Sequence, residues 1–153
     1  MLLDKTYYVN AFENIEKWSW SEIKYLFDQS FISTENIISY ARGMLDENTS
    51  NLELVIELTI ADDYEVEEIL LSLIDQCKEE IESIQFKWIF ALIYYSYQNS
   101  YDVFQVIDEV YSSFGYPVEL SKLVRYMPCD EATTIENRLK RYIEEGINKW
   151  IIK

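Results

Sequence analysis

Strong breakers of regular structure are scarce in this sequence, which has three glycines and two prolines among 153 residues. Gly and Pro interrupt secondary structure more strongly than any other residue, so their scarcity constrains the fold class. Helix start signals recur along the chain, where Ser, Thr or Asp precedes apolar residues at helical spacing. The sequence therefore predicts an all-α protein of about six to eight helices, as an irregular bundle or a short solenoid of helix pairs. The length predicts a single helical domain over residues 1–153.

Serine, threonine and aspartate residues mark the predicted helix N-termini. Three of them have Glu three residues later, the spacing of a capping box, in which two side chains satisfy backbone N–H groups of the first turn. These pairs are Ser50 and Glu53, Asp62 and Glu65, and Thr133 and Glu136. Ser19 or Ser21 is predicted to begin another helix, and Ser33 a further one. Predicted helix ends carry a glycine, the residue favoured as a left-handed cap: Gly43, Gly115 and Gly146.

The segment Leu52–Ile60 is compatible with two kinds of secondary structure. Its apolar residues alternate with other residues, as in a β-strand. The capping box at Ser50 and the lack of a partner strand or hairpin turn favour a helix, because a lone strand would leave its backbone unpaired. We therefore predict a helix.

The most apolar segment, Phe86–Tyr97, is interrupted only by Lys87 and Ser96. Its 12 residues are fewer than the ~20 that a membrane span needs, and the N-terminus lacks the apolar run of a signal peptide. We therefore expect a soluble cytoplasmic protein with this segment as a buried central helix. A role in the core is favoured over an aromatic cage for a ligand, and the side chains concerned are Trp88, Phe90, Leu92, Tyr94 and Tyr95.

Histidine is absent from the sequence. This excludes zinc sites built on His and every catalytic triad or general base that uses imidazole. Cys77 and Cys129 lie 52 residues apart without metal-ligand spacing, and we interpret them as reduced thiols, one on a helix and one in a loop. No calcium loop, phosphate-binding loop or nucleophile-elbow motif is present. The sequence therefore predicts no enzyme: no catalytic residue, no metal and no cofactor.

Acidic residues are concentrated in one part of the chain. The formal net charge is −15, and residues 46–82 hold 13 acidic residues and one base. Such a surface disfavours nucleic acid, whose phosphates need Lys and Arg, and suits a basic protein partner, whose approach it accelerates. The alternative is a solvated helix face that aids solubility. The densest cluster is the predicted partner-binding site, with its tyrosine as the anchor: Asp62, Asp63, Tyr64, Glu65, Glu67 and Glu68.

An aromatic corner is predicted after residue 110. Gly115 ends a helix, and Pro117 is suited to open a short one that stops before Pro128. Arg125 is expected to bury its stem and to pair with a carboxylate or stack on a ring. A packing motif is favoured over a ligand site for the residues of this corner: Tyr111, Phe114, Gly115, Tyr116, Pro117, Arg125, Tyr126 and Pro128.

The same segment carries a family resemblance. Tyr111 with Phe114–Pro117, followed by Val124–Pro128, resembles the bacterial domain-of-unknown-function family numbered 2247. Weaker similarity extends over roughly residues 12–142, through Trp18–Ile23, Tyr40–Ala41 and Lys87–Trp88. The resemblance implies a small helical bacterial protein of the kind encoded near polymorphic toxins, as immunity proteins are. It brings no catalytic residues.

Two functional hypotheses follow from these observations. The first is an immunity-type protein that neutralises a cognate toxin by covering its basic active site with acidic side chains. The second is a structural or regulatory helical module that associates with itself through the aromatic corner. The residues leave the oligomeric state open.

Overall fold

The structure, a computed structural model, describes residues 3–46, 49–74, 81–99, 101–125, 127 and 133–152. These residues form helices and no β-strand, which confirms the all-α prediction. The α-helices are α1 (Lys5–Glu13), α2 (Trp20–Asp28), α3 (Thr34–Met44), α4 (Leu52–Thr59), α5 (Asp63–Leu73), α6 (Ile81–Gln98), α7 (Val103–Ser113) and α8 (Ile135–Gly146). A 3-10 helix (Val118–Leu123) follows α7, and a π-helical turn (Ile147–Ile151) follows α8. In the described ranges, no helix has the length and apolar character needed to cross a membrane.

The chain divides into two compact units. The acidic unit comprises residues 18–84, and the aromatic unit comprises residues 1–17 and 85–153. Helix α6 begins in the acidic unit, and its residues from 85 onward belong to the aromatic unit. The single domain over residues 1–153 stays a prediction.

Helices α2–α5 form the acidic unit. Helix α3 packs on α4, α4 packs on α5, and α5 packs on α2 and α3. Each helix turns one apolar face inward, with residues spaced three or four apart. The fully buried side chains of this core are Ile23, Leu26, Ile37, Ala41, Val55, Leu58, Val66 and Leu70. Leu52–Thr59 is the helix that the capping and pairing argument favoured over a strand.

Two segments of the family resemblance, Trp18–Ile23 and Tyr40–Ala41, meet in the acidic unit. The Tyr40 hydroxyl accepts a hydrogen bond from the Trp18 N–H and donates one to the Trp18 carbonyl, both at 2.9 Å. The Tyr40 ring also meets Trp20 edge-on, with 5.7 Å between ring centroids. Burial raises the pKa of Tyr40, so its hydroxyl is protonated at neutral pH and serves as part of the scaffold.

Three predicted helix starts are confirmed. Ser19 caps α2 through the backbone N–H of Glu22, and Ser33 caps α3 in the same way. At α5 the Glu65 carboxylate accepts a hydrogen bond from the backbone N–H of Asp62 at 3.3 Å. These starts were predictable because a cap depends on side chains only three residues apart.

Two predicted helix starts are wrong by one residue. Helix α4 has Asn51, not Ser50, at its N-cap, in the left-handed conformation (φ 55°) that Asn tolerates better than most residues. Helix α8 has Thr134, not Thr133, at its N-cap, because the Thr134 side chain accepts a hydrogen bond from the Asn137 N–H at 3.2 Å.

The glycines have different roles. Gly115 is left-handed (φ 75°), as predicted for a residue that ends a helix. Gly43 lies within α3, and Gly146 has a right-handed φ of −66°, so the predicted left-handed caps at both positions are wrong. A Cβ atom at Gly146 would overlap the Phe90 ring, and this close approach explains a glycine there.

Helix α6 supplies much of the core of the aromatic unit. Residues 87–93 are all buried, which confirms a helix buried on every side, although Tyr94 and Tyr95 remain partly exposed. The Tyr7 hydroxyl of α1 donates to the Leu92 carbonyl at 2.7 Å. On α8 and the π-helical turn, Tyr142 and Trp150 contact the Phe90 ring, with centroids 5.8 and 5.1 Å apart.

The aromatic corner is a tight backbone turn after α7. Gly115 and Tyr116 are both left-handed (φ 75° and 59°), and the Tyr116 N–H donates to the Tyr111 carbonyl at 2.8 Å. The rings of Tyr111 and Tyr116 meet edge-on at 5.3 Å. Pro117 precedes the short helix as predicted, but this helix ends at Leu123, earlier than the predicted stop before Pro128.

Arg125 makes both contacts expected of it. Its Nη2 lies 3.4 Å from Asp108 Oδ2, and its guanidinium carbon lies 5.5 Å from the Phe104 ring centroid. Half of the Arg125 side chain stays exposed, so the predicted burial of its stem is incomplete. The predictions for Cys77, Tyr126, Pro128 and Cys129 lie outside the described residues.

Candidate protein-binding site

The acidic unit carries nearly all of the net charge. Its residues 18–84 include 16 acidic and three basic residues, a formal charge of −13 out of −15. Among the described bases, Lys24 contacts Asp28 at 2.7 Å, and Arg42 donates to the Thr59 carbonyl at 3.0 Å. Both cations therefore have partners within the unit, and of the two only Lys24 also reaches a carboxylate of α5, that of Glu67.

The predicted site residues lie at the start of α5. Tyr64 is 80% exposed, and its hydroxyl donates to Asp62 Oδ2 at 3.1 Å. Asp62 and Glu65 also form the cap of α5, so they have a structural role in addition to their charge. Carboxylates are stabilised at this end of a helix by its dipole.

Two of the predicted residues face neighbouring helices. Asp63 accepts a hydrogen bond from the Thr34 hydroxyl of α3 at 2.9 Å. The Glu67 Oε1 atom lies 3.6 Å from Nζ of Lys24 on α2. Both carboxylates remain exposed, but these contacts make them less available to a partner than Glu68, which is also exposed.

The structure shows a groove on the acidic unit that was not predicted. The groove has a volume of about 660 Å³ and lies between α4 and α5. Its lining combines carboxylates with apolar side chains, and none of the lining residues is basic: Leu54, Glu57, Ile60, Ala61, Glu65, Glu68, Ile69 and Ser72. The structure thus places two of the predicted residues, Glu65 and Glu68, on the wall of a concave surface.

One sequence signal could have indicated the groove. The alternation over Leu52–Ile60 supplies more apolar residues than one face of a short helix can bury. Along α4 and its C-cap, Val55 and Leu58 are fully buried, whereas Ile56 is 45% and the C-cap residue Ile60 is 79% exposed. Of these two, Ile60 lines the groove, where it adds to an apolar area rimmed by carboxylates, and such contiguous areas mark interaction surfaces.

The described residues contain no group of three or more Cys, Asp or Glu side chains that could hold a metal ion. The carboxylates of α5 are arranged along a helix and at its cap, with their oxygens directed to different neighbours. What this surface offers is charge and apolar area for contact with another molecule.

A known bacterial family matches almost the whole chain. Its sequence pattern covers residues 9–151, which include α2–α8. The chain belongs to DUF2247, a family of uncharacterised proteins conserved in bacteria. The resemblance drawn from the aromatic corner is therefore confirmed.

No curated protein and no solved structure matches this DUF2247 chain. The family match covers the aromatic corner as well as helices α4 and α5 with their groove.

Proposed function

We propose that this DUF2247 protein is a non-enzymatic, cytoplasmic immunity-type protein that neutralises a cognate toxin by covering the toxin's basic active site. The observation that carries the proposal is the formal charge of −13 on the acidic unit, together with an exposed tyrosine amid the carboxylates of α5. A basic active site, such as that of a nuclease, attracts phosphate, and a dense row of carboxylates presents a similar charge.

The carboxylates and the tyrosine would have different roles in binding. Exposed carboxylates such as Glu67 and Glu68 would accelerate the encounter with a basic surface, an effect that salt weakens. Tyr64 would supply the anchor, since Tyr is enriched among the residues that dominate interface energies. Its hydroxyl donates to Asp62, and this hydrogen bond favours one orientation of the ring before binding.

The test uses substitutions that remove charge and preserve the cap of α5. Asn is a good N-cap, and Gln is a good partner in a capping box, so amides retain the hydrogen-bonding groups of this turn. The variant set is Asp62→Asn, Asp63→Asn, Glu65→Gln, Glu67→Gln and Glu68→Gln. With the toxin encoded by the adjacent gene, we expect binding to weaken at least tenfold, its salt dependence to become shallower, and growth rescue to be lost.

A matched control removes the same charge from the aromatic unit. Five exposed glutamates are changed there to Gln: Glu13, Glu16, Glu119, Glu144 and Glu145. This control should bind within about threefold of the wild type. Unchanged affinity and salt dependence in the α5 set would overturn the acidic-surface mechanism, and the absence of binding to the adjacent gene product would overturn the immunity role.

A second function, self-association through the aromatic corner, is favoured by one observation. Tyr116 is 61% exposed and Val118 is 79% exposed, on either side of Pro117. Two exposed side chains with large apolar surfaces, one on each side of a proline at a tight turn, suit a contact with a second copy of this chain. Light scattering across the micromolar range should then show a concentration-dependent mass that Val118→Ser lowers, and a strict monomer would contradict this function.

A further inference from the structure

The groove between α4 and α5 carries an inference that rests on the proposed function and makes its partner more specific. Each helix presents one face to the groove: Leu54, Glu57 and Ala61 follow helical spacing along and just after α4. On α5 the spacing is repeated by Glu65, Glu68, Ile69 and Ser72. Both walls therefore combine carboxylates with apolar surface.

The charges of the groove indicate the charge of its occupant. Glu57 stands on one wall, and Glu65 and Glu68 stand on the other, with no Lys or Arg among the lining residues. A cation alone would leave the apolar part of the lining in water, above all Ile60, which is 79% exposed, so the occupant must also supply apolar surface. Lys and Arg side chains satisfy both demands, because their aliphatic stems cover apolar surface while their charged ends reach carboxylates.

The backbone of the walls indicates the conformation of the occupant. Both walls are α-helices, whose backbone N–H and C=O groups pair internally along the helix. An extended peptide would bury its own backbone groups there without partners, whereas a helix satisfies its own. Helices α4 and α5 have eight and 11 residues, which at about 1.5 Å per residue is room for two to three turns of a docked helix.

We infer that the groove binds an amphipathic basic helix of the partner protein, with aliphatic side chains against Leu54, Ile60 and Ile69 and Lys or Arg beside the three glutamates. This is the helix-in-groove mode of recognition, in which residues spaced i, i+3, i+4 and i+7 make the contacts. The exposed outer face of α5, with Tyr64, then contacts the rest of the partner.

The test measures binding of fluorescein-labelled 14-residue peptides to the full chain by fluorescence anisotropy. The probe peptide has Leu and Ile on one helical face and Lys and Arg on its flanks. One control peptide keeps every Lys and Arg but replaces Leu and Ile with Ser, and a second has the probe composition in an order without an apolar face. We expect the probe to bind at least tenfold more tightly than either control, and more weakly as NaCl is raised from 50 to 300 mM.

Two groove variants, each with a matched control, locate the binding. Glu57→Lys with Glu68→Lys reverses charge in the groove, and Glu144→Lys with Glu145→Lys makes the same change on α8, all four residues being exposed. Ile60→Ser removes an exposed apolar side chain from the groove, and Ile152→Ser removes the same side chain at a 70% exposed position outside the groove lining. Each groove variant should weaken probe binding at least tenfold, and each control by less than threefold. Circular dichroism verifies that all variants stay helical.

Failure of the inference and failure of the proposed function give different results. Equal binding of the probe and the Ser peptide, binding of spermidine as tight as that of the probe, or unaffected groove variants would each overturn the helix-binding groove. If the adjacent toxin is still bound and neutralised by the Glu57→Lys and Glu68→Lys variant, the groove inference is wrong and the immunity role stands. If the groove binds the probe but the chain binds no adjacent toxin, the immunity role is wrong and the groove stands.

Discussion

At the scale of single residues, Gly146 gives a direct test of packing. Its backbone is right-handed (φ −66°), so helix propensity alone would make Ala more stable by about 1 kcal/mol. The added Cβ would overlap the ring of Phe90, which is fully buried and stacks on Tyr94 at 5.1 Å. We expect Gly146→Ala to lower the free energy of unfolding in urea by about 1–3 kcal/mol, the usual cost of overpacking.

Gly43 is the matched control for this substitution. It is also helical, it is exposed, and a Cβ atom there would meet no atom within 4 Å. Gly43→Ala should therefore raise the free energy of unfolding by up to about 1 kcal/mol. A Gly146→Ala variant as stable as Gly43→Ala would show that the Phe90 ring moves aside at little cost.

At the scale of elements, the Tyr7 hydroxyl joins α1 to the Leu92 carbonyl of α6. Tyr7→Phe should cost about 1 kcal/mol at pH 7, the net value of one hydrogen bond. Burial, the largest cause, raises the pKa of Tyr7 above its ordinary value of about 10. Stability from this group is thus complete below pH ~10 and is lost as pH rises toward the folded pKa, because the unfolded chain releases the proton first.

The loss of this stability above pH ~10 predicts how Tyr7→Phe changes the pH dependence of the free energy of unfolding. The free energy of unfolding of the wild type falls above pH ~10 by up to about 1.4 kcal/mol per pH unit, whereas that of the variant lacks this contribution because Phe has no proton to release. The difference between the two proteins should therefore shrink above pH ~10 and then change sign. Urea unfolding of both proteins from pH 8 to 11 measures this difference. A difference that is constant over this range would contradict the raised pKa.

At the scale of the whole molecule, the charge of −13 on the acidic unit opposes the compact state. Two like charges about 10 Å apart in water repel by about 0.4 kcal/mol, and the Debye length at 0.1 M salt is about 10 Å. Raising NaCl from 20 to 300 mM should therefore increase the free energy of unfolding by about 1–2 kcal/mol. The variant with five Asn or Gln substitutions at residues 62–68 should show a shallower salt dependence of stability than the control variant with five Gln substitutions in the aromatic unit. A free energy of unfolding that decreases as NaCl is raised would contradict the prediction.

Local patterns made much of the fold predictable. The caps at Ser19, Ser33 and Asp62 depend on residues three apart, so they can be read without tertiary structure. The burial of residues 87–93 follows from a run that is apolar on every side. At α4 and α8 the start was misplaced by one residue, because Asn51 and Thr134 compete with their neighbours as caps and only the observed backbone decides between them.

The candidate site was predictable only in part. The density of carboxylates at residues 62–68 predicted an acidic cluster at a helix N-terminus, and this cluster lies at the start of α5. The surroundings of each carboxylate were not predictable, because they depend on how the helices pack. Asp63 and Glu67 contact residues of α3 and α2, respectively, whereas Glu65 and Glu68 line the groove.

By itself, the sequence determined the helical class, the starts of α2, α3 and α5, the buried α6 segment and the position of the acidic cluster. These properties depend on residues close together along the chain, whose spacing and charge act over short distances. Only the tertiary structure decided that Glu57 joins Glu65 and Glu68 around one groove, and that Gly146 lies against Phe90. Those relations depend on which helix faces pack together, and packing is determined by the fit of side chains that are distant in sequence.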